Sequence, residues 1–313
     1  MKNVSVISNF LWRFAERCGA QLVTFIVSIV LARILSPNDY GTIALVTVFI
    51  TILQVFIDSG LSTALIQKKD ADDLDFSSVF YFNLVVCIIL YLLMFYSAPY
   101  IAKFYNDLSL TPIIRVISLT LIISGVKGVQ QSYVSRNMLF KRFFFSTLGG
   151  TIFSAVLGVA MAYAGFGVWA IVFQQLSNNT IDTLILWITV KWRPVKKFSW
   201  SRLKNLLSFG WKLLASSLLD TVYNNLRNMI IGKLYTPADL AFYNQGDKFP
   251  KLIVTNINTS IDSVLLPTMS NEQDNPVRVK EMTRRAIKTS TYIMAPLMIG
   301  LAFCAEPIVR LVL

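Results

Sequence analysis

Apolar runs long enough to cross a bilayer recur along almost the whole chain, separated by short polar breaks. A helix needs about 20 mainly apolar residues to span the hydrocarbon core. By that measure the pattern predicts nine spans, at 9–35, 41–66, 78–101, 112–134, 143–164, 167–190, 206–234, 241–268 and 288–313. The third (SSVFYFNLVVCIILYLLMFYSAPYIA), the fifth and the sixth are the clearest, whereas the eighth is polar enough to span only with one face turned away from lipid. The predicted fold is an all-α polytopic membrane bundle.

The polar breaks carry a repeat. LARILSPNDYG at 31–41 returns as IGKLYTPADLA at 231–241. Ser36-Pro37-Asn38-Asp39 has the grammar of a helix start: a hydroxyl at the N-cap, proline at the first helical position, where no amide donor is needed, and an acid placed for a capping box. Thr236-Pro237-Ala238-Asp239 repeats it, so each phrase predicts a tight turn between two spans. Phe10-Leu11-Trp12-Arg13 is echoed by Phe209-Gly210-Trp211-Lys212 one helix earlier, and Ala98-Pro99-Tyr100-Ile101 by Glu306-Pro307-Ile308-Val309 one helix later. Six spans separate the copies, and an even number gives them the same orientation, a parallel pseudo-repeat of the kind seen in alternating-access transporters. The expected domains are an N-terminal lobe at 1–190, a basic linker at 191–205 and the start of a C-terminal lobe at 206–313. The first lobe has six predicted spans and the second three, so the expectation is a chain lacking about three or more C-terminal spans.

Composition agrees with a membrane protein: 55% of residues are hydrophobic, 15% are charged and the mean hydropathy is +0.58, against roughly 25% charged in soluble domains. The net charge of +12 would point to nucleic acid in a soluble chain. Here it follows topology, because with a cytoplasmic N-terminus 19 lysines and arginines fall on the inner side and 4 on the outer, as the positive-inside rule requires. Histidine is absent, which removes the commonest general base and zinc ligand. Cys18, Cys87 and Cys304 lie far apart in apolar stretches and read as packing residues rather than a disulfide framework. The first apolar stretch is too long, and too charged at Arg13, Glu16 and Arg17, for a cleavable signal. The aspartates of Lys68-Lys69-Asp70-Ala71-Asp72-Asp73-Leu74-Asp75 have a spacing that can hold magnesium against a diphosphate, but a solvated loop with acids at a helix start accounts for them more simply.

Six basic residues remain inside predicted spans: Arg115, Lys127, Lys212, Arg227, Lys248 and Lys251. Each would cost roughly 2.5–3.5 kcal/mol at a helix centre, so a lipid-facing, unpartnered position is disfavoured. The seventh span places Lys212, Ser216, Asp220, Asn224 and Arg227 along one helical face, the eighth Lys248, Lys251, Thr255, Asn258 and Asp262, and the first Arg13, Arg17, Gln21, Thr24 and Ser28. These stripes predict a shared, water-accessible, partly cationic cavity. Its candidate substrate-binding cations are Arg227, Lys251, Lys248, Lys127, Lys212, Arg13 and Arg17. Glu16, Asp58, Asp220 and Asp262 serve either ion coupling or charge balance. Simpler readings stand beside these: Lys212 and Arg115 are placed to snorkel, Arg227 to pair with Asp220, and Lys251 to pair with Asp247 one turn away.

WRFAERCGAQLVTFIVSIVLARILSPNDYGTIALVTVFITILQVFIDSGLSTALIQKKDADDLDFSSVFYFN, followed by SAPYIAKFYND, PIIRVISLTLI and FGWKLLASSLLD, resembles the polysaccharide exporters and lipid-linked oligosaccharide flippases of the multidrug/oligosaccharidyl-lipid/polysaccharide superfamily. The similarity is greatest to the lipopolysaccharide-biosynthesis or colanic-acid exporter branch. It implies a two-lobe helical bundle in the bacterial inner membrane that flips an undecaprenyl-diphosphate-linked glycan from the cytoplasmic to the periplasmic leaflet. It further implies membrane lipids and glycan polymerase and chain-length machinery as partners, a cationic cavity, no catalytic residues, no metal, no cofactor and no nucleic acid. Gly125, Gly128, Gly149 and Gly150 would allow close helix packing or bending. The alternatives are a multidrug or organic-cation antiporter of the same superfamily and a membrane-embedded glycan-assembly enzyme, for which the short loops leave little room.

Overall fold

The structure is a computed structural model describing residues 2–58, 61–68, 71–137, 139–271 and 276–312. Every regular element among them is helical: α1 (Lys2–Ile34), α2 (Pro37–Asp58), α3 (Leu61–Gln67), α4 (Asp73–Phe104), α5 (Leu110–Ile117), α6 (Leu119–Arg136), α7 (Phe140–Tyr163), α8 (Val168–Thr189), α9 (Trp200–Leu234), α10 (Pro237–Asn271), α11 (Pro276–Phe303) and α12 (Ala305–Val312). Both repeated phrases fold as reciprocal caps. Asp39 N–H donates to Ser36 Oγ at 3.3 Å while Ser36 N–H donates to Asp39 Oδ2 at 3.1 Å; the Thr236–Asp239 pair does the same at 3.2 and 3.0 Å. Each cap satisfies amide donors that a new helix leaves orphaned.

Among the described residues six helices are long and apolar enough to cross a membrane: Ala15–Ile34, Pro37–Ile57, Asp73–Phe104, Leu110–Arg136, Phe140–Tyr163 and Val277–Phe303. The predicted nine are not reached. The sixth, seventh and eighth predicted spans form as α8, α9 and α10, but their polar side chains hold them below that mark. The fourth is divided at Ser118, whose hydroxyl donates to the Ile114 carbonyl at 2.5 Å.

Contacts divide the chain into two compact units, Met1–Leu240 and Ala241–Leu313. This division follows packing, whereas the boundary at 191–205 follows the repeat; they differ because α9 lies against α2, α3 and α4. Within the first unit α7 packs along α1 and α8, and α6 along α4 and α8. One apolar core, with Leu35, Leu110, Ile113, Ala162 and Ala170, lies at the end where α1 turns into α2, α4 into α5 and α7 into α8. A second, with Phe76, Val134, Phe143, Val190, Trp192 and Leu203, lies at the opposite end, beside the linker between α8 and α9. These are called the turn end and the linker end. Between the cores four helices contribute a buried polar layer: Asn83 of α4, Ser124 of α6, Ser146, Thr151 and Ser154 of α7, and Asp182 and Thr183 of α8. Several of the hydroxyls return their proton to their own helix, as Ser154 does to the Thr151 carbonyl and Thr183 to that of Asn179. Close approach replaces hydrophobic exclusion as the packing force in lipid; a side chain at Gly150 would crowd the Asn178 carbonyl oxygen at 2.9 Å. Outside, Val85, Ile89, Leu92, Leu93 and Tyr96 of α4 and Phe153 and Val156 of α7 are exposed, a surface that suits acyl chains rather than water.

In the second unit Ser290 Oγ donates to Asn258 Oδ1 at 3.3 Å, and Arg310 pairs with Glu306 at 2.6 Å.

Candidate functional site

The polar layer widens into a cavity of about 420 Å³ bounded by Glu16 of α1, Lys127, Gln131 and Ser135 of α6, Phe143 and Thr147 of α7, and Asn178, Asn179 and Asp182 of α8. Lys127 Nζ donates to Asp182 Oδ2 at 3.0 Å, with both side chains largely buried. The other Asp182 oxygen is buried and has no hydrogen-bond partner among the described residues. Glu16 is also buried, so two carboxylates and one ammonium share a space walled by amides and hydroxyls. A buried ion pair stabilises little by itself, because desolvation offsets much of the attraction. Intramembrane charges of this kind mark ion or substrate pathways. Chemically the cavity can hold a proton, a small cation or a hydroxyl-rich group; no cluster of metal-ligating side chains occurs among the described residues.

The structure brings Glu16 and Lys127 into this cavity. Arg17 is exposed on α1. Lys212, Ser216, Asp220, Asn224 and Arg227 lie exposed along the middle of α9. Lys248 is exposed on α10. Lys251 pairs with Asp247 at 2.5 Å, the one-turn pairing set against its role in substrate binding. Arg115 lies over the Phe95 ring at 4.3 Å and donates to the Phe95 carbonyl. The side chains of Arg13, Asp58 and Asp262 lie outside the described residues, as do Lys69 and Asp70 of the acidic run.

The acidic run requires a correction. It does start a helix: Asp72 caps α4, accepting from Asp75 N–H at 3.0 Å while Asp75 Oδ2 accepts from Asp72 N–H at 3.2 Å. It is not simply a solvated loop, because Asp75 is fully buried and its carboxylate accepts from Lys68 Nζ at 2.6 Å. The run and the first turn of α4 after it hold the segment that joins α8 to α9. Trp192 Nε1 donates to Asp73 Oδ1 at 3.0 Å, Val195 N–H to Ser77 Oγ at 2.9 Å, Ser199 N–H to Ser78 Oγ at 3.0 Å, and Arg202 to Asp72 Oδ2 at 2.5 Å. The Arg202 hydrogen bond, with help from Asp75 N–H, lowers the Asp72 pKa to about 2. No local sequence signal revealed this contact, since its partners lie 118 to 130 residues apart. Opposite charges in two spans of one lobe did allow a Lys127–Asp182 pair, but nothing in their spacing selected it.

An all-helical bundle with an apolar exterior and six helices long and apolar enough to cross a bilayer, among the described residues, fits a multi-pass membrane protein. The chain belongs to the polysaccharide biosynthesis protein family, whose model matches residues 30–313. Among its relatives are the succinoglycan biosynthesis transport protein ExoT of Rhizobium meliloti, 23% identical over 97% of this chain and 61% of its own length, and the teichuronic acid biosynthesis protein TuaB of Bacillus subtilis, 28% identical over 83% and 54%. The lipopolysaccharide biosynthesis protein WzxC of Escherichia coli is 23% identical over 90% of this chain and 58% of its own length. The chain thus spans about three fifths of the length of these relatives. In fold it resembles the lipid II flippase MurJ in an inward closed conformation, with a TM-score of 0.71 and 16% identity over 94% of this chain and 67% of the other. It also resembles an inward-facing multidrug resistance MATE family transporter of the MOP superfamily, with a TM-score of 0.68 and 16% identity over 90% and 69%.

Proposed function

We propose that the intact protein is an inner-membrane flippase that carries an undecaprenyl-diphosphate-linked oligosaccharide from the cytoplasmic to the periplasmic leaflet for surface polysaccharide assembly. This chain supplies the first lobe and the start of the second. The surplus of lysine and arginine at the linker end supports a cytoplasmic N-terminus. Family membership supports the glycan pathway. The observation that carries the reading is the charged middle of α9, exposed between two packed ends: a polar stripe on a long helix of a membrane bundle belongs on an aqueous path rather than against lipid. Arginine and lysine there suit a diphosphate, which needs several charge-assisted donors on leaving the headgroup region. The acids beside them keep the path from binding the anion too tightly to release it. Glycan polymerase and chain-length machinery would act on the product at the far leaflet.

The test uses the full-length protein in a strain lacking its own copy. Lys212→Gln combined with Arg227→Gln, both on the exposed face of α9, should lower surface polysaccharide at normal protein levels, while either change alone should have the smaller effect. Undiminished polysaccharide in the double variant would remove these residues from the path. Efflux of organic cations without glycan export would support the antiporter alternative instead.

A further inference from the structure

The segment that joins α8 to α9 is held on one face and open on the other. Inward, Trp192 is buried and stacks on Tyr133 with ring centroids 6.1 Å apart, and the buried Gln130 donates to its carbonyl at 3.1 Å. The amides of Val195 and Ser199 end on Ser77 and Ser78, themselves buried at the start of α4. Between them Lys197 N–H donates back to the Val195 carbonyl at 2.7 Å, which closes a three-residue turn. The side chains around that turn are therefore presented by a fixed backbone rather than by a loose loop.

Two kinds of side chain lie outward. Val195, Phe198 and Trp200 are exposed, the two rings side by side with centroids 6.3 Å apart. Lys191, Lys196, Lys197 and Lys204 are exposed as well and make no ion pair among the described residues. The arginines of the segment are already engaged: Arg202 on Asp72 at 2.5 Å, and Arg193 on the Val190 and Trp192 carbonyls at 2.6 and 2.7 Å. From residue 183 to 219 the chain has no aspartate or glutamate, so no neighbour in sequence neutralises these lysines. Exposed rings beside unpaired ammonium groups suit the headgroup level of a bilayer, where aromatic rings settle at the interface and lysine reaches phosphate. Both ends of the segment continue into long helices of the bundle, α8 and α9, so the lipid surface is the partner always within reach.

We propose that the turn at 195–197 and the ring pair after it form a docking surface for anionic phospholipid headgroups of the leaflet at the linker end. Lys196 and Lys197 hold headgroup phosphate, while Phe198 and Trp200 seat at the glycerol level. Because the turn is fixed beforehand, little conformational freedom is lost on binding. The segment between the lobes is then held from two sides, by α4 within and by lipid without. This goes beyond the transport reading and rests only on the place of the bundle in a membrane.

The test reconstitutes the full-length protein in phosphatidylcholine vesicles that contain increasing fractions of phosphatidylglycerol, brominated near the headgroup end of its acyl chains. Quenching of Trp200 is read as the difference between the protein and its Trp200→Phe variant. Half-maximal quenching should come at a low fraction of the anionic lipid, and brominated phosphatidylcholine at the same fraction should quench far less. A lysine near an anionic surface contributes about fivefold, so Lys196→Gln with Lys197→Gln should raise the half-quenching fraction by about tenfold or more. Lys103→Gln, which removes an exposed lysine at the turn end, should leave that fraction unchanged. Salt at about 1 M should erase the preference in the unsubstituted protein, a readout that needs no variant to fold. Equal quenching by the two lipids, a preference that survives salt, or one that survives the loss of both lysines would each overturn the proposal, and indifference to lipid charge would leave the lysines to an acidic protein instead. Surface polysaccharide is no part of this measurement, so the docking surface and the transport reading stand or fall separately.

Discussion

The two ends of α9 pack on one lobe with different chemistry. At the linker end large side chains interlock and backbone amides of a non-helical segment find side-chain acceptors on α4. At the turn end Gly41 lets the Pro237 backbone approach, Leu45, Leu240 and Ile231 join the other apolar core, and the charged contact lies on the surface. A joint that must stay shut gains from deep apolar burial and satisfied polar groups, because separation forfeits them all at once.

The sharpest way to break this contrast is at the linker end. Trp192→Ala removes a buried ring together with the partner of Asp73, and should cost about 3–5 kcal/mol, the usual range for truncating a large buried aromatic. Thermal unfolding in detergent and steady-state protein level both report it, and an unchanged midpoint would mean that the linker is not fixed. Gly41→Leu comes next. Its side chain has to displace a backbone carbonyl rather than a flexible neighbour, so the turn end is forced apart at a cost of about 1–3 kcal/mol. Export should fall while the protein still folds, and cysteines near Tyr105 should react faster with a membrane-impermeant maleimide. Lys233→Met is expected to be milder: it deletes an exposed bond and a cation–π contact of about 0.5–1 kcal/mol, so the unfolding midpoint in detergent should fall by less than it does for Gly41→Leu.

Arg202→Gln should do least at neutral pH, because its partner Asp72 is exposed and surface pairs contribute little. Its signature lies in acid. The Asp72 carboxyl is held at about 2 in the folded protein against an ordinary 3.8. Its pairing is therefore fully present above pH 3.8 and lost as the pH falls through about 2. The variant should lose that acid-side difference and nothing else; a shift at neutral pH of the size seen with Trp192→Ala would move the centre of the linker joint from Trp192 to Arg202.

The helix starts at Pro37 and Pro237 were legible because cap and capped amide sit within four residues of one another. The all-helical fold followed from runs of apolar residues, and the polar face of α9 from the spacing of Lys212, Ser216, Asp220 and Arg227. The sixth, seventh and eighth predicted spans do form helices, as α8, α9 and α10, but their polar side chains leave them less apolar than the six candidate spans, so the count of nine is not confirmed. Asp75 was misread because an acidic run in a short loop resembles a solvated helix start, whereas its carboxylate is paired with Lys68 and faces Arg202, more than a hundred positions later.

By itself the sequence determined where helices begin, which segments suit a bilayer, and that a turn was duplicated at an interval of 200 residues, since each of these depends on neighbours along the chain or on self-similarity. Only the tertiary structure decided that Lys127 answers Asp182 across the polar layer, that Trp192 is held by Asp73, and that the two copies of the turn lie against one another at Gly41. Such partners are chosen by which helix faces meet, and in lipid, where apolar side chains gain nothing by avoiding the solvent, that choice falls to close packing and buried polar contacts between distant segments.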